Sequence, residues 1–424
     1  MARMFARGTI NQPDFQNNLW TLMASGVVSA FNFVIKLIVV RLFGLADAGI
    51  FSFAVAVAAL SCVLVLFGVR AFQSTDIRQE YSLNSYIGLR VCTTMLSVVA
   101  VTVFIIANRF EASRAIVIFL VCIFYWSDAF ADVFMGDLQQ KGNMRIAGRM
   151  RVSAFLSGAV VFGIISFMSR SLIFSLISAV VTINIIYTMW IWVYRSQFKK
   201  VHVKLNITAI KKLTTSTLPF MIAGIFGTFL IMGQTFFLSF LHTDESVAVF
   251  TILMMPLSVL TILANSFFLG AEMTKTAKIY ESGQIEHMAK RINKQFLLAV
   301  IVSVFTLLCA YLFGIPFLSW LYNIDLSLYM RDFMLLATGS ILLMLFPILG
   351  AALTVFRKQR AWMIISIVIA VIVAPINWFL VERHEIVGAV FATLNIHMFL
   401  ATAAYILYRI SLRKCMLKLD RAKV

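Results

Sequence analysis

The sequence predicts an all-α integral membrane protein of about twelve transmembrane helices, built as two six-helix lobes (a 6+6 pseudo-repeat) with both termini cytoplasmic. Three observations predict it. Of the 424 residues 61% are hydrophobic and 13% charged, whereas an ordinary soluble domain carries about twice that charged fraction. The apolar residues come in runs of about 20, the length that crosses a bilayer core as a helix. The basic residues are also distributed unevenly between alternate loops.

The runs place spans near 20–40, 46–69, 85–107, 115–136, 149–168 and 171–194, then near 214–241, 246–271, 296–321, 332–356, 361–381 and 386–409. The tail Met1 to Asn18 is polar and carries Pro13, with no cleavable apolar core, so no signal peptide is expected. Of the 36 Lys and Arg, six (Arg41, Arg109, Arg114, Arg170, Arg331, Arg383) fall in one set of loops, and Lys36 and Arg90 lie inside spans. The other 28 fall in the tails and the opposite loops, which the positive-inside rule places in the cytoplasm. The net charge of +18 is explained by this asymmetry and does not indicate nucleic acid.

The longest basic linker, Arg195 to Lys212, lies near mid-chain and divides the sequence into lobes 1–200 and 201–424. Sliding the chain by 199 residues sets Ala48-Gly-Ile-Phe-Ser-Phe-Ala over Val247-Ala-Val-Phe-Thr-Ile-Leu, Leu19 over Leu218, Ala24 over Ala223 and Leu42 over Leu241. With equal span counts, this favours a duplication in parallel orientation.

Charge inside a bilayer is costly and usually faces a bundle interior or a water-filled cavity. In the first lobe Ser25, Ser29, Asn32 and Lys36 form one helical stripe, with Arg41 at its outer end. Tyr86, Arg90, Thr93 and Ser97 repeat that geometry on the third span, and Asp128 and Asp132 lie one turn apart on the fourth. These aspartates are candidates for coupling to H+ or Na+; the competing reading is that they neutralise Arg90, Arg70 or Arg149 in a static network. Lys36 has no acidic residue on its own face and is a substrate-facing candidate, with snorkelling to the outer surface as the alternative. The second lobe has no mid-span charge. It offers Thr251, Ser258, Thr261, Asn265 and Glu272 on the eighth span, Thr393 and His397 on the twelfth, and five of the six prolines, which permit kinks.

Enzyme chemistry is not indicated. There is no phosphate-binding Gly-rich loop ending in Lys-Ser/Thr, the five histidines lack metal-ligand spacing, and the five cysteines form no CxxC pair. No cofactor is expected.

Several short segments carry a family resemblance: Arg41-Leu-Phe-Gly44 with Ala48-Gly-Ile-Phe51, Asp76 with Tyr86 to Arg90, and Gln140-Lys-Gly-Asn-Met144. Asn377-Trp-Phe-Leu380, Ile386-Val-Gly-Ala389 and Ala392-Thr393 extend it to the last two spans. In this order they resemble the multidrug/oligosaccharidyl-lipid/polysaccharide (MOP) exporter superfamily, in particular its Wzx-type O-antigen and polysaccharide flippases. One departure is Ala48 before Gly49, where the family often has Tyr. The resemblance implies two lobes with a basic central cavity and alternating access, and carries over to Arg41 and Arg90. It implies a multi-pass protein of the bacterial cytoplasmic (inner) membrane that moves isoprenoid-diphosphate-linked oligosaccharides for surface polysaccharide or lipopolysaccharide biosynthesis. Lys36, Arg41, Arg90 and Asn32 are the expected substrate contacts. Expected partners are the lipid-linked substrate, membrane lipids, H+ or Na+ and the polysaccharide polymerase or export machinery. The alternatives are a multidrug exporter of organic cations from the same superfamily and a membrane-embedded glycan polymerase.

Overall fold

In the computed structural model, which describes residues 12–70, 73, 81–198, 207–265 and 272–423, all regular structure is helical. The chain forms two compact units, Met1–Ile225 and Phe226–Val424.

Unit 1 contains α1 (Gln12–Phe43), α2 (Leu45–Leu66), α3 (Leu83–Ala107), α4 (Ala112–Gln140), α5 (Met144–Ser169) and α6 (Leu172–Val193). One residue, Gly44, turns the chain from α1 into α2; its φ of +92° is one that side-chain-bearing residues rarely adopt. The packing order runs α1–α5–α6–α4–α2 and back to α1, a closed ring, while α3 lies outside it against α2 and α4. Small residues set the close approaches, as between helices in lipid generally. Gly148 of α5 lies against Trp20 of α1, and Gly158 against Ile183 of α6. Inside the ring Phe31, Phe124 and Phe155 stack and abut edge-on at centroid separations of 4.9–5.3 Å. The outside is apolar and bare. Met95, Leu96, Val99 and Val103 of α3 and Phe174, Val181 and Ile185 of α6 are all exposed, a surface suited to hydrocarbon and not to water.

α7 (Ile207–Leu241) begins in unit 1 and ends in unit 2. Unit 2 continues with α8 (Asp244–Leu253), α9 (Met255–Asn265), α10 (Met273–Glu281) and α11 (Ile285–Cys309). A π-helical turn, Ala310–Gly314, leads to α12 (Ile315–Tyr322), followed by α13 (Met330–Thr338), α14 (Ser340–Val355) and α15 (Gln359–Lys423). The expected eighth span, 246–271, is not one rod: α8 and α9 meet at 43°. Pro256, second residue of α9, supplies the cause, since proline lacks an N–H and crowds the carbonyl four residues back.

Among the described residues ten helices are long and apolar enough to cross a membrane, or eleven with the bent α8–α9 pair counted as one span. The last of these contains two crossings. At about 1.5 Å per residue the 65 residues of α15 would reach roughly 98 Å, some three bilayer cores. The helix instead breaks at Glu385 (φ 48°, ψ −123°). Ile369, Ala370 and Val373 before the break share one apolar cluster with Ile396 and Leu400 after it, so the two arms fold back on one another. Gly388 makes this possible, because a Cβ there would collide with the Leu380 carbonyl. The offset seen in the sequence reappears in the helices. α2 begins at Leu45 and α8 at Asp244, while α3 and α11 are both 25 residues long.

Gly388→Val is expected to force the last hairpin open at a cost of about 1–3 kcal/mol, the usual range for overpacking. Gly350→Ala, which meets nothing within 4 Å, should leave the unfolding temperature in detergent unchanged or slightly raised.

Candidate functional site

The polar groups singled out in the sequence occupy three distinct settings in unit 1. The first is ionic. One turn apart on α4, Asp128 and Asp132 face the same way but meet different arginines. Arg151 of α5 grips Asp128 with both prongs, Nε to Oδ1 at 3.0 Å and Nη2 to Oδ2 at 2.5 Å, and the Tyr187 hydroxyl of α6 donates to Oδ1 at 2.7 Å. Three helices are thereby tied at one carboxylate by charge-assisted bonds. Asp132 is held at 3.3 Å by Arg70, which also donates to the Asp132 main-chain oxygen at 2.7 Å and to Gln139 Oε1 at 2.8 Å. Arg70 is thus a partner as the sequence suggests, and Arg151 stands where the sequence offers Arg90 or Arg149. Arg149 lies over the Trp20 ring instead.

The second setting is the buried stripe of α3. Tyr86, Arg90, Thr93 and Ser97 are all less than 5% exposed, and three of them bond main-chain oxygens of α2. Ser97 Oγ donates to Ser61 O at 3.0 Å and Thr93 Oγ1 to Val65 O at 2.9 Å; Arg90 Nη1 donates to that same Val65 oxygen. The last four carbonyls of a helix have no partner within it, and a cation there also complements the helix dipole. Arg90 therefore caps α2, while its Nε and Nη2 have no hydrogen-bond partner among the described residues.

The third setting is α1. Its inward face is Ala24, Phe31, Ile35 and Val39, whereas Ser25, Ser29, Asn32 and Lys36 are exposed or half-buried. Ser29 and Asn32 return their donors to main-chain oxygens one turn back. Asn32 also lines a cavity inside the ring, shared with Phe51, Tyr125 and Phe162. Among the described residues Lys36 has neither a carboxylate nor a hydrogen-bond partner. Arg41 is exposed in the last turn of α1.

The structure does not gather Lys36 and Arg90 at one point. Folding α1 onto α2 about Gly44 sets Lys36 level with residue 52, thirteen residues before Val65, or about 20 Å along the helix at 1.5 Å per residue.

Unit 2 has its own polar hub outside the spans, which sequence reading places only at the end of a stripe. Glu272 accepts from Lys275 (2.9 Å), from Arg291 Nη2 (2.6 Å) and from Gln295 (3.1 Å). Burial pushes its carboxyl upward, but those bonds and the Arg291 charge outweigh it and hold the pKa below the ordinary 4.5. Its distant partners give no local signal, since Arg291 and Gln295 lie beyond a turn on α11. His397 Nδ1 donates to the Thr393 main-chain oxygen, 2.7 Å away on its own helix. Among the described residues no cluster of His, Cys, Asp and Glu could hold a metal ion.

A family model described as "Polysaccharide biosynthesis protein" matches residues 15–273. No curated protein matches the chain. Among solved structures it is similar to a point mutant of the Vibrio cholerae MATE transporter VcmN, at 14% identity and TM-score 0.63 over 94% of this chain and 96% of that one. A MOP superfamily transporter from Pyrococcus furiosus, whose binding pocket is described as reversed in polarity with a different function suggested, gives 14% identity and TM-score 0.59 over 95% and 96%. The inward-facing form of a multidrug resistance MATE family transporter gives 15% and 0.60 over 94% and 95%. At these identities the likeness shows the fold: that of a MOP superfamily transporter.

Asp128→Asn should lower stability by about 2–3 kcal/mol, a buried-pair cost reduced for the partial exposure of Arg151. Denaturant unfolding of the Asp128→Asn/Arg151→Gln pair should recover part of that loss. The Glu272 contribution has the opposite reach in pH to a histidine's. Its folded pKa is depressed, so stabilisation is complete above the unfolded value and fades as pH falls through the folded one. Glu272→Gln should therefore be destabilising at neutral pH and indistinguishable from wild type in acid below that folded value, as thermal unfolding across pH will read.

Proposed function

The chain belongs to the polysaccharide biosynthesis protein family, and on that premise we propose that it is a flippase. Its cargo is an isoprenoid diphosphate bearing a short oligosaccharide, moved across the bacterial cytoplasmic membrane for surface polysaccharide assembly. Residues 1–200 and 201–424 act as the two lobes, both termini are cytoplasmic, and alternating access carries the glycan through a polar path while the isoprenoid stays in lipid.

The observation that carries the reading is the charge balance of unit 1. Both mid-span carboxylates, Asp128 and Asp132, are already held by arginines, whereas Lys36 is unpaired among the described residues, on a polar face that its own bundle leaves partly uncovered. A site with a spare cation and no spare anion suits a diphosphate and disfavours an organic cation, more so in a medium where charges are weakly screened. Lys36 and Asn32 meet the cargo on α1, Arg41 at the outer end. Arg90, 20 Å or so deeper by helix rise, offers its two unused donors at another stage. Asp128 and Asp132 are the proposed coupling carboxylates: a proton or Na+ replaces the arginine at one of them and frees a helix contact.

Loss of one charge-assisted contact, about 1.5–3 kcal/mol, is expected to slow export on the order of ten-fold or more in Lys36→Ala at unchanged protein level. In a strain lacking the gene, surface glycan should disappear and the diphosphate-linked unit accumulate in the inner leaflet. Intact glycan with raised sensitivity to cationic drugs would overturn the reading in favour of a multidrug exporter. Single units stranded on the outer face would indicate a polymerase.

A further inference from the structure

α3 lies outside the ring and shows its apolar side to lipid, yet that side is not smooth. Where α3 ends and α4 begins, a groove of about 330 Å³ opens between Thr102, Ile105 and Ile106 of one helix and Ala115, Ile116 and Phe119 of the other. That is roughly eleven water volumes at ~30 Å³ each, room for a length of one hydrocarbon chain and too little for a hydrated sugar diphosphate. The one polar side chain in this lining is already used, since Thr102 Oγ1 donates to Val98 O at 2.8 Å. The inner wall is fixed: Phe119 sits edge-on to Trp126 at 5.6 Å, and the Trp126 indole donates to Ser61 Oγ at 3.1 Å.

Both lining segments finish in an arginine at the interface. Arg109 follows Ile106 by three residues, is exposed, adopts a positive φ of 52° in the turn, and has no hydrogen-bond or ionic partner for its side chain among the described residues. Arg114 precedes Ala115, with its guanidinium over the rings of Phe53 and Phe110 at 5.0 and 5.1 Å. An apolar slot at membrane depth, with a free cation at headgroup level, has the charge and shape of an anionic lipid.

We propose that the α3–α4 groove binds one anionic glycerophospholipid, an acyl chain in the slot and its phosphate at Arg109. The occupant is a resident lipid and not the cargo, because the polar face assigned to the cargo is on α1, and α3 packs on α2 and α4 rather than on α1. That choice of occupant rests on the proposed function, whereas lipid binding itself is tested without export.

The experiment is native mass spectrometry of the full chain in detergent, with added phosphatidylglycerol, phosphatidylcholine or undecaprenyl phosphate. The wild type is expected to retain one phosphatidylglycerol in preference to phosphatidylcholine. Ala115→Phe, which fills the slot, should abolish that retention, and Arg109→Gln should reduce it several-fold while leaving the lipid-free unfolding temperature unchanged. Retention equal to wild type in both variants, or equal binding of phosphatidylcholine by the wild type, would overturn the proposal. Preferential retention of undecaprenyl phosphate would overturn the resident-lipid assignment. If Ala115→Phe misfolds, Arg109→Gln alone still decides the headgroup contact.

Discussion

A bilayer core supplies no water to the main chain, so each carbonyl freed at a helix end or break inside it must find a partner in the protein. Much of the polar chemistry in this chain answers that demand. Val65, at the end of α2, is met by Arg90 and Thr93. Val381, before the break in α15, is met by His242 at 2.7 Å, and the Glu385 carboxylate at the break accepts from the Ser246 hydroxyl in the first turn of α8. Breaks are thus placed where a side chain from another helix can reach them. The buried stripe of α3 joins its helix to α2 by main-chain acceptance and needs no complementary stripe on α2.

The same scarcity of water governs the ions. Removing a carboxylate from water is unfavourable unless good geometry and further hydrogen bonds compensate. Asp128 has both, in the two-pronged contact with Arg151 and the bond from Tyr187. These contacts hold α4, α5 and α6 together through one group, so a change of charge at that group is felt by three of the five helices of the ring. Asp132 is held by one arginine, Arg70, whose guanidinium is 3.3 Å from the carboxylate and also bonds the Asp132 main-chain oxygen and Gln139 on the same helix. Of the two, Asp128 is therefore the carboxylate that ties the most helices together, while the contacts of Asp132 join α4 to the segment just after α2.

The spans are legible in the sequence because hydropathy reports a one-body property: each residue prefers lipid or water by itself. The gap around Val381 to Ile386 is legible for that reason, and the structure breaks α15 at Glu385 within it. The bend between α8 and α9 is legible only as a kink that Pro256, one of five prolines in that half, permits, since its run stays apolar on both sides. Partner identity is harder still. Asp128 meets residues 23 and 59 positions away, and no helical spacing encodes either distance. The α3 stripe is visible as a face, but its acceptors are main-chain oxygens, which have no letter in the sequence.

Lys36 and Arg90 look alike in the sequence, each a lone cation on a polar stripe. They differ in what surrounds them. Arg90 is 1% exposed and already serves α2 through one of its nitrogens, so its removal changes the fold before it changes any ligand. A loss of transport in an Arg90 variant would accordingly say little about contact with cargo. Among the described residues Lys36 caps nothing and pairs with nothing, and it lies one turn from Asn32 on a half-buried stripe of α1. An ammonium is strongly hydrated, and leaving it unpaired at mid-span is tolerable only where water or an anion reaches it. In the proposed function, Lys36 is the group on α1 that would be offered to the diphosphate.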